Sequence, residues 1–254
     1  MAEFVSIDGV RLEYAWHGPP PGHAPTLVFL HEGLGSLSQW RNFPAELGSR
    51  VGCGALVYSR CGHGKSDALT APRTIGFMHE EATAVLPRLL EVFEIRRPIL
   101  VGHSDGASIS LIYAGSGGDP FAMILEAPHV FVEDVTVTRI VELRDSYRTT
   151  DLRTKLARYH TNVDSLFQYW TDVWLRPEFR RWNIEAYLPD VRCPTLVIQG
   201  KQDEYGTSRQ VDVLMSTLGG RCEGILLDRC GHAPHVDQRA TVAELMARFI
   251  HGLE

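Results

Sequence analysis

Ser104 stands in Gly102-His103-Ser104-Asp105-Gly106, directly after the apolar run Ile99-Leu100-Val101 and before a helical stretch from Ala107 to Tyr113. Glycines two positions before and two after a serine are what a sharp strand-to-helix turn requires, because side chains there would collide with the turn. Such a turn lifts the hydroxyl clear of the sheet. It also aims the amide N–H of the next residue, Asp105, at the oxygen of a carbonyl under attack. The chemistry this suggests is nucleophilic attack by a serine hydroxyl. A hydroxyl is a poor nucleophile at neutral pH, so an imidazole base must lie against it and a carboxylate must orient that base. The five-residue pattern recurs by chance, and the strand before it and helix after it give it its weight.

The elements that must bring such groups together are read from hydrophobic periodicity. Strands are expected at Phe4–Ile7, Arg11–Trp16, Thr26–Leu30, Ala55–Tyr58, Ile99–Gly102, Ala122–Glu126, Thr195–Gln199 and Gly224–Leu227. The middle runs are short, continuous and apolar, the pattern of parallel strands covered on both faces. The first two flank Asp8-Gly9, a hairpin signal, and are expected to pair antiparallel at the sheet edge. Helical patterns fall between the strands at Gln39–Leu47, Phe77–Phe93 (with Pro87 as a kink), Ala107–Ala114, Ser208–Leu218 and Thr241–His251. Strand alternating with helix implies right-handed crossovers and a parallel sheet. From about Val130 to Val191 the alternation stops, and helix-like segments rich in Tyr, Trp and Arg follow one another. An all-helical insertion is expected to form a lid over the carboxyl ends of the strands. The chain then divides into a core domain of residues 1–129 and 192–254 and a lid of residues 130–191.

Apolar residues make up 44% of the 254 and charged residues 22%, enough to bury a sizeable core without staples. A net charge of -6 argues against a nucleic-acid partner, which would need a basic face. No apolar run approaches the roughly 18 residues of a membrane span, and Met1-Ala2-Glu3-Phe4-Val5-Ser6 has no secretory pattern. The five cysteines are scattered and lack C-x-x-C spacing, so reduced thiols in a cytoplasmic protein are expected, with no metal site.

With these motifs the chain resembles the α/β-hydrolase fold family, in its lidded esterase and carbon–carbon-bond hydrolase branch, over nearly its full length. The resemblance implies an eight-stranded, mostly parallel sheet flanked by helices. In that family the order along the chain is serine, acid, histidine. Asp228-Arg229-Cys230-Gly231-His232-Ala233-Pro234 matches the loop that carries the base, which puts that role on His232. His235, three residues on, is the nearest rival and is read as structural. Pro194-Thr195-Leu196-Val197-Ile198-Gln199-Gly200-Lys201-Gln202-Asp203 resembles the acid loop and puts the orienting carboxylate on Asp203, with Glu204 able to substitute and Asp228 too near His232 in sequence. The second oxyanion donor should come from His31-Glu32-Gly33-Leu34, where the family usually has His-Gly. The Gly33 amide is expected to join that of Asp105, with Leu34 an alternative. His31 is expected to brace the loop. Glu32 is either a pocket carboxylate, pairing with Arg60 or repelling anions, or a solvated loop residue.

Ser59-Arg60-Cys61-Gly62-His63-Gly64-Lys65-Ser66 ends like a phosphate cradle but lacks the glycine needed at position 59, so a structural turn is expected. The lid aromatics suggest an apolar or aromatic acyl pocket, with Glu32, Leu34, Tyr147, Trp170 and Trp174 as candidate lining residues. Arg144, Arg148, Arg180 and Arg181 read as surface helix positions, with a substrate carboxylate as their alternative partner. The resemblance implies a cofactor-independent serine hydrolase acting on a small-molecule ester, thioester or lactone; a homodimer is compatible with it. Serine at the elbow disfavours dehalogenase and epoxide-hydrolase chemistry, which use aspartate there. Carbon–carbon hydrolases of ring-fission products are the runner-up, although they carry a tryptophan where Ala233 stands. A non-catalytic ligand receptor is the alternative outside enzymes.

Overall fold

The computed structural model describes residues 3–22 and 24–253; Met1 and Ala2, part of the stretch read above for a leader, lie outside them. Eight strands form one sheet in the order β1-β2-β4-β3-β5-β6-β7-β8. They are β1 (Glu3–Ile7), β2 (Val10–His17), β3 (Thr26–Leu30), β4 (Gly54–Tyr58), β5 (Ile99–His103), β6 (Ala122–Glu126), β7 (Thr195–Gly200) and β8 (Cys222–Leu227). β1 and β2 form the expected hairpin, turning at Asp8 (φ 49°) and Gly9 (φ 83°). β2 also runs antiparallel to β4, and every pairing from β4 through β3 to β8 is parallel.

Strands β3 to β7 are buried along their whole length, as their unbroken apolar runs require. Their side chains divide by parity. Val28, Leu30, Leu56 and Leu100 enter one core, whereas Leu27, Phe29, Val57, Ile99 and Val101 enter the other. The second core is closed by α1 (Phe43–Val51) and by α10 (Arg239–His251), which follows the short α9 (Pro234–Asp237). On the first face lie α2 (Phe77–Glu80), α3 (Leu86–Val92), α4 (Asp105–Gly115) and, toward the β8 edge, α8 (Arg209–Thr217). Two helices depart from expectation. The Gln39–Leu47 pattern splits into a 3₁₀ turn at Leu37–Trp40 and α1, because Arg41 takes φ 52° and Pro44 starts the new helix. Between α2 and α3 a π turn, Glu81–Val85, precedes Pro87, whose missing N–H cannot close an α-turn.

Between β6 and β7 the chain contains α5 (Asp134–Ser146), α6 (Leu152–Leu156), α7 (Val163–Trp174) and two 3₁₀ turns. The two ends of this segment are tied side by side: Phe131 bridges Asn183, and the Ile184 N–H donates to Val130 O at 2.8 Å. α7 turns Leu166, Phe167, Trp170, Val173 and Trp174 inward, at helical spacing. No helix among the described residues is long and apolar enough to cross a membrane.

One tight constraint in the frame is where α4 leaves β5 beneath the end of β3. A methyl group on Gly106 would lie 2.1 Å from the Leu30 carbonyl oxygen, and one on Gly102 would lie 2.6 Å from Ala107 Cα. Both obstacles are backbone. Gly106→Ala is therefore expected to destabilise the fold by about 3 kcal/mol, read as a lowered urea midpoint; an unchanged midpoint would contradict the packing described.

Candidate active site

Ser104 adopts φ 53°, ψ −116° between β5 and α4. A non-glycine residue held there costs about 1–3 kcal/mol, so the surroundings must impose it. They do so with hydrogen bonds on both sides: the Ser104 N–H donates to Glu126 O at 2.9 Å, and Ser104 O accepts the N–H groups of Ala107 and Ser108. Because a peptide is planar and trans, the Asp105 N–H points opposite to the Ser104 carbonyl, out of the helix start.

His232 and Asp203 sit in loops after β8 and β7, at the same carboxyl edge of the sheet as Ser104. His232 Nε2 is 2.9 Å from Ser104 Oγ, and His232 Nδ1 donates to Asp203 Oδ1 at 2.8 Å. Asp203 Oδ1 also accepts the N–H groups of Tyr205 (2.8 Å) and Gly206 (3.2 Å), and Gln199 Nε2 donates to Oδ2. Burial alone would raise the Asp203 pKa, but the hydrogen bond and charge of His232, with the Tyr205 amide, hold it below the usual carboxylate value. Burial likewise opposes a charge on His232, yet its bond to Asp203 and that carboxylate's charge raise the imidazole above its ordinary value. The His232 carbonyl is fixed by His103 Nε2 at 2.7 Å. The alternatives weighed for these places lie elsewhere. Glu204 makes no hydrogen bond to His232 among the described residues, Asp228 pairs with Lys201, and His235 faces Glu126 and packs, tilted, against Trp40.

The loop after β3 is held by its carbonyls. Arg60 Nη2 donates to His31 O and Glu32 O, His63 Nε2 donates to Gly33 O at 3.1 Å, and His160 Nε2 donates to Leu34 O at 2.9 Å. Burial holds His31 and His63 well below the ordinary histidine value and His160 at about 4, so these rings are neutral. With Glu32 O tied back, the Gly33 N–H points the opposite way. Neither it nor the Asp105 N–H donates to another protein group among the described residues. The Leu34 amide is taken by Glu32 Oε2, which removes Leu34 as the alternative donor. His31 braces the loop as expected, accepting the Arg60 N–H at Nε2 and donating from Nδ1 to Glu32 O. Of the alternatives left open for Glu32, the pairing of its carboxylate with Arg60 is not the one made. The guanidinium binds the Glu32 carbonyl, and its ionic partner is Asp105, at 3.8 Å.

Above Ser104 lies a cavity of about 380 Å³, lined in part by Glu32, Leu34, Trp170 and Trp174, a size suited to a small ligand. Tyr147 is not in its lining: its ring stacks on Phe167 at 3.8 Å and its hydroxyl donates to Asp164, so neighbours in its own segment consume both faces of its chemistry. His129 and Tyr205, not singled out from sequence, do line it. Each follows a parallel strand's carboxyl end, the position that could have flagged them. Four acidic residues are among its lining (Glu32, Asp105, Glu204 and Asp237), and among the described residues no lysine or arginine is. Burial raises the Glu32 and Asp105 carboxyls. Arg144 and Arg180 make exposed pairs with Asp145 and Asp134. Burial raises the Cys61 thiol and pushes that of Cys230 up to about 11, so neither is an activated nucleophile.

An alpha/beta hydrolase family model matches residues 27–245. The sn-1-specific diacylglycerol lipase ABHD11 of Danio rerio is 31% identical over 93 residues, 37% of this chain and 28% of that protein, so the match spans little more than a quarter of the relative. Similar solved structures include a membrane phospholipase A described as a bacterial virulence factor, with a TM-score of 0.82, 19% identity, and 100% of this chain and 86% of that one covered. The enol-lactonase from Burkholderia xenovorans LB400 has a TM-score of 0.77 at 20% identity, over 98% and 100% of the two chains. The meta-cleavage product hydrolase from Pseudomonas fluorescens IP01 has 0.76 at 16%, over 99% and 98%. At such identities the likeness is one of fold, whereas the family model spans most of the sequence: the chain belongs to the alpha/beta hydrolase family.

Proposed function

We propose that this hydrolase cleaves a carboxylic ester, thioester or lactone of a small acyl substrate through an acyl-enzyme on Ser104. The observation that carries this reading is the relay Ser104 Oγ–His232 Nε2–His232 Nδ1–Asp203 Oδ1, with separations of 2.9 and 2.8 Å. Ser104 Oγ attacks the carbonyl carbon as its proton passes to His232 Nε2. Asp203 holds the ring in the tautomer that can accept and stabilises the imidazolium. The Gly33 and Asp105 amides receive the oxyanion. His232 then protonates the leaving oxygen or sulfur, the acyl-enzyme remains, and water repeats the sequence to release the acid. In this reading the segment of residues 130–191 acts as a lid whose aromatic side chains exclude water from the acyl group.

The acid-rich lining bears on the runner-up. A ring-fission dienoate carries a carboxylate, and a cavity lined by four acidic residues and, among the described residues, no lysine or arginine offers it no ionic partner. Neutral acyl groups fit this wall better.

Ser104→Ala is expected to abolish both the product burst from p-nitrophenyl acetate and labelling by a fluorophosphonate, with turnover reduced on the order of 10⁴-fold or more. An undiminished burst in that variant would end the acyl-enzyme reading. The pH profile of kcat/KM should show an acid limb above the ordinary histidine value, because activity needs neutral His232 and Asp203 raises its pKa. Asp203→Asn removes the raising charge, so the limb should move to lower pH while kcat falls about 10⁴-fold; a limb that stays in place would remove Asp203 from its role. Finally, p-nitrophenyl hemisuccinate should react at least about tenfold more slowly than the neutral butyrate, equivalent to ~1.4 kcal/mol. Glu32→Gln should narrow that ratio. Equal rates in the parent protein would reopen the dienoate assignment.

A further inference from the structure

Beside the cavity over Ser104 lies a second one, of about 240 Å³. The two share three lining residues, Glu32, His103 and Ala233, so they adjoin across a common wall. That wall is built around the base. Ala233 follows His232 in the chain, and His103 Nε2 donates to the His232 carbonyl at 2.7 Å. Ala233 is fixed in place, because Pro234 starts α9 and the Val236 and Asp237 N–H groups both donate to its carbonyl. The side chain at this shared position is a single methyl group. Glu32 is drawn back onto its own loop: Oε2 accepts the Leu34 N–H, and Oε1 lies 3.0 Å from where a methyl group on Gly35 would sit. At Gly33 the first cavity is closed. A methyl group there would lie 2.0 Å from Trp170 Nε1, so the indole roofs the loop directly.

The two cavities differ in chemistry. The first has four acidic residues in its lining and, among the described residues, no lysine or arginine. The second has Arg41, which makes no ion pair among the described residues, together with Tyr159 from the helical segment and the buried Trp40. Its acidic residue is the drawn-back Glu32, and burial keeps His31, which also lines it, neutral. Arg41 takes φ 52°, ψ −129° between the 3₁₀ turn and α1, a region that residues with side chains avoid. Strain of this kind collects at ligand clamps, and no internal partner of the guanidinium accounts for it.

We propose that the second cavity is the leaving-group subsite, taking an alcohol or thiol whose anionic end pairs with Arg41. This rests on the acyl-enzyme reading of Ser104. When the tetrahedral intermediate collapses, the bond from the acyl carbon to oxygen or sulfur breaks, and the departing atom takes the proton from His232 Nε2. That atom must therefore lie against His232, and Ala233 is the next residue toward the second cavity. The substrate is then asymmetric, with a neutral acyl group among acids and aromatics and a negative charge on the group that leaves. Ala233 sets how large that group can be.

Two butyrate esters test this: that of 4-hydroxybenzoic acid, with an anionic leaving group, and that of methyl 4-hydroxybenzoate, with a neutral one. Arg41→Gln should lower the ratio of kcat/KM for the anionic ester to that for the neutral ester by about fivefold at low salt, the scale of an exposed ion pair. A ratio that stays at the parent value would overturn the proposal. Ala233→Phe should lower kcat/KM on both aryl esters at least about tenfold relative to the rate of labelling by a fluorophosphonate, because fluoride leaves there and needs no subsite. Esters and label slowed alike would place the effect on His232 and overturn the subsite, as would esters that keep the parent rate. Should Ala233→Phe not fold, Ala233→Val gives the same comparison with a smaller obstruction. A parent protein that takes no label at all would instead sink the acyl-enzyme reading itself.

Discussion

Four consecutive peptide carbonyls, from His31 to Leu34, are pulled to one side by buried side chains, and the site depends on that pull. A peptide plane has two polar edges, so fixing every oxygen fixes every amide. The loop after β3 cannot turn its Gly33 N–H away from the cavity without breaking bonds to Arg60, His63 or His160. Arg60 does most of this. It is fully buried, reaches two of the carbonyls, and lies 3.8 Å from the Asp105 carboxylate at the start of α4. One guanidinium therefore sets the spacing between the loop and the elbow, the two pieces of backbone proposed to converge on a single oxygen. A second buried arginine, Arg73, reaches Cys61 O and approaches Glu81, so the cationic charge beneath the loop is itself matched by carboxylates. Buried ion pairs add little net stability, but they are costly to break.

Against that fixed loop stands a strained serine. The φ of 53° at Ser104 would relax if α4 could slide along its axis, but Gly106 already rests on the Leu30 carbonyl and Glu126 O holds the Ser104 amide. The strain is thus carried by the sheet as a whole. The hydroxyl is also placed at the positive end of an eleven-residue helix. His232 is restrained at both its ring and its carbonyl, by Asp203 and His103. Histidine 103, the residue just before the serine, thereby couples the elbow to the loop that carries the imidazole.

What the sequence made legible followed from features that are local. Strands β3 to β7 are continuous apolar runs, and burial on both faces demands nothing else. The elbow declared itself through two glycines whose absent side chains are each replaced by backbone. The order of Ser104, Asp203 and His232 followed from resemblance; the structure sets the three side chains at successive separations of 2.9 and 2.8 Å. What was misread depends on direction in space. Nothing in the letters says that the Arg60 guanidinium turns to the Glu32 carbonyl and to Asp105 instead of the Glu32 carboxylate. Tyr147 looked like pocket lining because it is aromatic and lies in the inserted segment, yet Phe167 covers its ring and Asp164 takes its hydroxyl. His129 and Tyr205 escaped notice because each sits one turn past a strand end in a loop of unremarkable composition.

The contact between Gly33 and Trp170 also limits how the protein can change. The two positions lie far apart along the chain, one in a loop of the sheet and one on a helix of the inserted segment, yet any side chain at the first and an indole at the second exclude each other. Their substitutions cannot be additive. A bulkier loop residue is admissible only after the tryptophan has shrunk, so descendants of this sequence that alter both must pass through the smaller roof first.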